Sequence, residues 1–204
     1  MDRYDTLMFT PRVKALQEAE GSAETYARSY GARTHALNAD EQAFLAASTS
    51  FYMATVSETG WPYIQHRGGP AGFLKVLDDH TIGFADYRGN RQHISEGNLR
   101  GDDRVSLFFM DYPRKARLKM QGHAVMQAAA DASDLVEQFE TDGQGRVERV
   151  VTIRIVAFDW NCPQFITPRF DSAQIARLVG PELDQRDARI AQLEGELAAL
   201  RGQV

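Results

Sequence analysis

Between residues 50 and 160 the chain is a succession of short β-rich runs, each cut off by turn residues. This spacing constrains the fold more than any other feature. Phe51 to Ser57 ends at the turn Ser57-Glu58-Thr59-Gly60, and Trp61 to Arg67 follows at once, which predicts a hairpin. Gly68-Gly69-Pro70-Ala71-Gly72 cannot continue a regular ladder, because proline lacks the amide donor and glycine is loose. Phe73 to Leu77, Thr81 to Ala85, Val105 to Met110, Arg117 to Gln127 and Arg149 to Phe158 supply further strands. The last alternates Val151, Ile153 and Ile155 in the pattern of a half-buried strand. Arg91 to Leu99 and Asp131 to Phe139 read as helices between strands, the second with Leu135, Val136 and Phe139 on its apolar face. Strands joined by turns rather than long crossovers predict an antiparallel barrel, not a βαβ sheet. Strands 61–67 and 73–77 are expected to be neighbours.

The flanks differ in texture, which divides the chain into a helical preface over 1–48, a barrel over 49–172 and a C-terminal helix over 173–204. Thr10 before Pro11 is an N-cap with proline at the first helical position, and Gly21 ends that run. Asn38 with Glu41 is a capping-box start, and Phe44, Leu45 and Ala47 are expected to form the buried face that follows. In the tail, Leu183, Ile190, Leu197 and Val204 recur every seven residues. Leu193 and Leu200 take the d positions of the same register, and Arg186 breaks the first. That is a short coiled-coil pattern, open to pairing with another helix or to packing on its own domain.

A net charge of −5 disfavours a general nucleic-acid binder. No apolar run reaches the length of a membrane span. Met1 to Phe9 carries Asp2, Arg3 and Asp5 in place of a signal h-region. The single cysteine, Cys162, excludes an internal disulfide and a multi-cysteine zinc site. A cytoplasmic protein is expected. No zinc-hydrolase His spacing, serine-hydrolase elbow, dinucleotide fingerprint or P-loop occurs.

The densest polar segment is Gln65-His66-Arg67, then Lys75, then Asp86-Tyr87-Arg88-Gly89-Asn90-Arg91-Gln92. A lysine within an apolar strand needs solvent or an anion. The Arg-Gly-Asn-Arg-Gln stretch after a strand is expected to open a helix, whose free amides and partial positive charge suit a phosphate. Arg67, Lys75 and Arg91 converging there make a phosphate site; dispersed, they are solvated surface charges. Cys162 reads either as a reactive thiol or as an inert small residue, and Asn161 and Gln164 as partners for a heterocycle or as turn residues.

Three stretches together resemble a known family: Trp61 to Pro70, Gly72 to Val76 and Ile82 to Gln92, with Asn161 to Gln164 beyond them. They look like the flavin-nucleotide-binding branch of the pyridoxamine 5′-phosphate oxidase-like split barrels, over roughly residues 40–170. The residue patterns and the resemblance together give the expected fold: mainly β (α+β), a six-stranded antiparallel split β-barrel with flanking helices, an N-terminal helical segment and a C-terminal heptad-bearing helix. It implies an FMN-binding homodimer with each flavin at the interface. The phosphate ligands would be Arg67, Lys75, Asn90, Arg91 and Gln92. Backbone contacts to the isoalloxazine would fall on Ala85 and Asp86, with Gln65 and His66 beside the ring system. Asp111, Tyr112, Arg117 and the Asn161–Gln164 loop would approach from the partner chain. True vitamin B6 oxidases carry a C-terminal Arg-Leu-His-containing motif and a Tyr-x₃-Arg-x₃-Ser pattern. Here Trp160 is followed by Asn-Cys-Pro-Gln, and Ala129 to Phe139 has neither Tyr nor Arg, which argues against activity on pyridoxamine phosphate.

The leading functional reading is therefore an FMN-dependent oxidoreductase acting on a small molecule or redox partner. His66 is the best candidate for a proton donor, because histidine titrates near neutrality. The alternatives are a flavin carrier or sensor without turnover, and a split barrel holding deazaflavin or haem.

Overall fold

The computed structural model describes residues 4–31, 36–141, 144–160 and 163–202. Asn161, Cys162 and Val204 lie outside the described residues. The chain divides into two compact units, one of Met1–Asp111 with Ala116–Gln164, the other of Tyr112–Lys115 with Phe165–Val204.

In the first unit, helices α1 (Tyr4–Met8), α2 (Pro11–Ala19), α3 (Ala23–Gly31) and α4 (Ala39–Ala47) precede the strands. Thr10 accepts the Val13 amide at the start of α2, and Gly21, at φ 71°, closes that segment as its sequence requires. The α4 capping box is formed: Asn38 Oδ1 accepts the Asp40 amide and Glu41 accepts the Asn38 amide. Phe44 and Leu45 are buried as expected, but Ala47 is exposed and Glu41 is buried in its place. The Glu41 carboxylate tolerates burial because it also accepts the Trp160 indole N–H at 2.6 Å.

The strands are β1 (Ser50–Val56), β2 (Pro62–Gly68), β3 (Lys75–Val76), β4 (Thr81–Tyr87), β5 (Arg104–Asp111), β6 (Ala116–Ala128) and β7 (Val147–Trp160). Helix α5 (Ile94–Gly101) precedes β5, and α6 (Ser133–Phe139) joins β6 to β7. They make one antiparallel sheet of order β2-β1-β5-β6-β7-β4-β3, an α+β fold of the split-barrel kind with seven strands rather than six. The additional strand, β3, is only two residues long, bounded by the Gly-Pro-rich turn and by Asp78-Asp79.

The expected adjacency of β2 and β3 is not found. Each pairs elsewhere, β2 with β1 and β3 with β4, and they end the sheet on opposite sides. Among the described residues no ladder joins the two ends. Side chains meet there instead, around Phe51. Its ring stacks on Phe109 at 4.9 Å and on Phe73 at 6.1 Å, and meets the Phe84 ring edge-on at 5.5 Å. The main core fills the curled sheet with alternate residues of each strand, among them Met53, Leu107, Leu118, Met120 and Ile153, all fully buried. A second cluster lies under α6, where Phe139 packs with Ala85, Val147 and Val150.

In the second unit, Asp171 and Gln174 form a capping box for α7 (Ser172–Arg201), a helix of 30 residues containing Pro181. The guanidinium of Arg169 lies 4.8 Å from the Tyr112 ring. Among the described residues, no helix is long and apolar enough to cross a membrane.

Gly83 on β4 lets Phe139 approach the sheet, since an added Cβ would collide with Cζ of that ring and lie 3.1 Å from the Val151 carbonyl. Gly83→Ala should therefore destabilise the protein by about 1–3 kcal/mol in urea denaturation, the ordinary cost of overpacking. Adding Phe139→Leu should recover part of that loss.

Candidate functional site

Alternation along β2 decides which of its polar residues share a site. Gln65 and Arg67 turn to one face and His66 to the other. Gln65 and Arg67 line a cavity of about 260 Å³ with Asp86 at the end of β4, the Asn90-Arg91-Gln92 loop, Ser95 of α5, and Glu148 and Arg149 of β7.

The centre of this cavity is the Asp86 carboxylate, 8% exposed and shared by two arginines. Arg67 Nη1 donates to Oδ1 at 2.6 Å, and Arg149 donates to Oδ2 through Nε at 2.9 Å, with its Nη2 in ion-pair contact at 2.8 Å. The β4–β7 register places Asp86 directly opposite Arg149, which explains that pair. The Arg67 pair is tertiary, since it joins opposite ends of the sheet. Arg149 also meets Glu96 at 3.4 Å and Glu148 at 3.8 Å. Arg88 and Arg91 each lie 3.9 Å from Glu148, too far for a hydrogen bond. With Arg100 on Glu96 at 2.7 Å, five guanidinium groups thus surround three carboxylates, leaving the cluster cationic. Arg67 Nε is buried without a hydrogen-bond partner, and the Arg67 guanidinium lies 5.8 Å from the Phe84 ring centroid.

The loop after β4 does not open a helix at Arg91. Arg91 and His93 have left-handed backbone, with φ of 62° and 56°, so α5 begins only at Ile94. Asn90 Oδ1 accepts the Gln92 amide and shapes the turn. His93 caps α5 without a side-chain bond to the backbone, and its Nδ1 donates to Glu96 at 2.8 Å. Ser95 donates to Gln65 Oε1, and Asn98 donates to Thr55 within the buried interior, so α5 is fixed to β2 and β1. Burial alone would raise the Glu96 carboxyl. Hydrogen bonds from His93 and Arg100 and the charge of Arg149 outweigh it and hold the group below the ordinary carboxylate range.

Of the sequence candidates, Gln65, Arg67, Asp86, Asn90, Arg91 and Gln92 are brought together in this cavity, and His66, Lys75, Ala85, Arg117 and Gln164 do not line it. The expected convergence of Lys75 with Arg67 and Arg91 is absent. Lys75 pairs with Gly83 and so shares the side of β4 that faces Phe139. His66 lies on the outer face of β2, edge-on to Tyr52 at 5.7 Å. Ala85 packs in the cluster under α6. Arg117, on β6, has a buried Nε without a partner, and Gln164 is exposed in a turn. Arg149, Glu148 and Glu96 were not legible as site residues. Glu148-Arg149 at a strand start reads as an ordinary solvated pair, and only the register across β4 gives it a place.

The sequence model of the pyridoxamine 5′-phosphate oxidase family matches residues 37–156. Among curated proteins none matches the chain. The fold is similar to that of HupZ from Group A Streptococcus, with 17% identity over 65% of this chain and 98% of that one, at a TM-score of 0.47. It is also similar to a Clostridium acetobutylicum protein related to general stress protein 26, of the pyridoxinephosphate oxidase family. That match has 14% identity over 60% of this chain and 85% of that one, at a TM-score of 0.45. An F420 reductase matches with 16% identity over 58% of this chain and 94% of that one, at a TM-score of 0.42.

Asp86→Asn leaves Arg67 and Arg149 in a poorly hydrated site without their shared counter-charge. Urea denaturation should register a loss of about 3 kcal/mol, the lower end for breaking a buried pair. The lowered Glu96 group adds stability that is fully present above its ordinary value of 4.5 and is lost as the pH falls through the lower folded value. Glu96→Gln should accordingly flatten that part of the acid unfolding curve.

Proposed function

This chain belongs to the pyridoxamine 5′-phosphate oxidase family, and on that premise we propose that it is an FMN-binding flavoprotein with oxidoreductase capacity. The cavity between β2 and α5 takes the phosphate end of the cofactor.

The observation that carries this reading is the buried, unpartnered Nε of Arg67. A buried donor on a cation is costly to leave unmade, and a phosphate oxygen satisfies it. Arg91, which lines the cavity, adds a guanidinium fork whose carboxylate neighbour among the described residues, Glu148, is beyond hydrogen-bond reach. The first amides of α5 have no partner within the helix and offer further donors. Planar forks and backbone amides are the donor set that suits a phosphate monoester. Asn90 and Gln92 flank it as neutral hydrogen-bonding partners.

At about 260 Å³ the cavity falls short of the roughly 300–1,000 Å³ that encloses a drug-sized ligand. One protomer therefore covers the phosphate end and leaves the ring system to be covered by a second copy. This supports a homodimer. The outer face of β1 and β2, with Tyr52 39% and Ile64 62% exposed, offers an apolar surface for it. Arg117 and Gln164, which do not line the cavity of their own protomer, would be supplied by the partner copy. His66, on that same outer face, would serve as proton donor only to a flavin held by the other protomer. When bound, the isoalloxazine supplies hydride or electron transfer. This chain's residues bind its phosphate and orient it.

Titration with FMN and with riboflavin, followed by flavin fluorescence, tests the reading. FMN should bind more tightly than riboflavin. Arg91→Ala, a change at a half-exposed side chain, should weaken FMN about tenfold, as the loss of one charge-assisted hydrogen bond implies. It should leave riboflavin unaffected. Equal affinity for both, or a haem Soret band with no flavin bound, would overturn it.

A further inference from the structure

The heptad pattern of α7 has no role in the cofactor cavity, and the helix buries none of its described side chains. Leu183, Ile190, Leu193, Leu197 and Leu200 are between 45% and 64% exposed. They occupy the a and d positions of one register and so form a single stripe along the helix. Large apolar side chains scattered singly on a surface are ordinary, but a contiguous stripe marks an interaction face.

We propose that α7 pairs in parallel with α7 of a second copy of this chain, as a short two-stranded coiled coil over residues 183–200. The charges beside the stripe fit a second copy. In a parallel pair each g residue meets the partner's e residue in the next heptad. Arg189 then faces the position of Glu194, and Glu196 that of Arg201, so two of the three cross-pairs are attractive. Glu182 opposite Asp187 is the repulsive exception, and Arg186 stands between them at the d position, held by Glu182 at 3.1 Å within its own helix. An antiparallel pair would instead set Asp187 against Glu194. Ile190 at a with Leu193 at d is the combination that favours two parallel strands. An anionic membrane surface is a poor fit, because a helix lying on one carries basic residues on its polar face. Here Asp184, Asp187, Glu194 and Glu196 interrupt the arginines, and α7 contains no lysine. Pro181 bounds the stripe on its N-terminal side.

The proposal is independent of the flavin reading, and its test reads α7 directly. Leu193→Cys and Ala188→Cys are made separately in the full-length chain carrying Cys162→Ser, and each is mildly oxidised. In a parallel pair the two Leu193 positions face each other, whereas Ala188 lies on the opposite side of the helix. Most of the Leu193→Cys protein should shift to a covalent dimer on a non-reducing gel, with Ala188→Cys staying monomeric. No dimer at position 193, or equal dimer at 188, would overturn the proposal. So would a bond that forms only when Leu193→Cys is mixed with an Ile190→Cys chain, since that requires antiparallel helices.

Discussion

The Asp86 carboxylate lies where the two ends of the sheet come together, with Arg67 reaching it from β2 and Arg149 from β7. No backbone ladder joins those ends among the described residues. Side chains join them instead: the Arg67–Asp86 ion pair, with Arg149 sharing the same carboxylate from the neighbouring strand, and the aromatic packing around Phe51. Such a closure has a chemical consequence that a hydrogen-bonded one would lack. Backbone groups in a ladder are satisfied by one another, whereas an arginine fork holding one carboxylate keeps donors to spare. Arg67 uses Nη1 on Asp86 and leaves Nε buried without a partner.

The candidate site is thus an outgrowth of the closure. The same charges that join the sheet ends set the polarity of the cavity beside them. Its carboxylates are not equivalent in this respect. Asp86 is held by short, well-directed hydrogen bonds, and Glu96 by His93 and Arg100, so both are engaged. Glu148 meets its three arginines only at 3.8–3.9 Å. The loosest anion in the cluster is the one nearest Arg88 and Arg91. A tetrahedral oxyanion with several acceptors competes well against such a partner, because charge-assisted hydrogen bonds weaken steeply with length. Ser95 on Gln65 and Asn98 on Thr55 fix α5 to β2 and β1, and with it the donors at its start.

Much of this is legible in the residues. Turn chemistry announces the hairpins, caps announce α2 and α4, and the alternation of Val151, Ile153 and Ile155 announces a half-buried strand. These are local effects, set by backbone conformation and by water within a few residues. The two local departures, at Glu41 and at Arg91, share a cause, a hydrogen bond that pattern alone does not express. Periodicity puts Ala47 inside and Glu41 outside, but a carboxylate that caps its own helix and takes an indole N–H is satisfied when buried. Local signals open a helix at Arg91, but the Asn90 turn carries the chain through left-handed backbone first.

The sequence by itself determined the two polar runs, at residues 65–67 and 86–92, that supply Gln65, Arg67, Asp86, Asn90, Arg91 and Gln92 to the site. It also determined the seven-residue period of the tail, because side-chain spacing on a helix follows from its pitch. Only the tertiary structure decided which of those residues meet. β3 pairs Lys75 with Gly83, on the face of β4 opposite to Asp86, which parts it from Arg67, and alternation along β2 sets His66 on the outer face. Register brought Arg149, 63 residues away, onto Asp86. Strand order and register depend on burying one face of every strand at once, a condition on the whole sheet that no single run of residues can express.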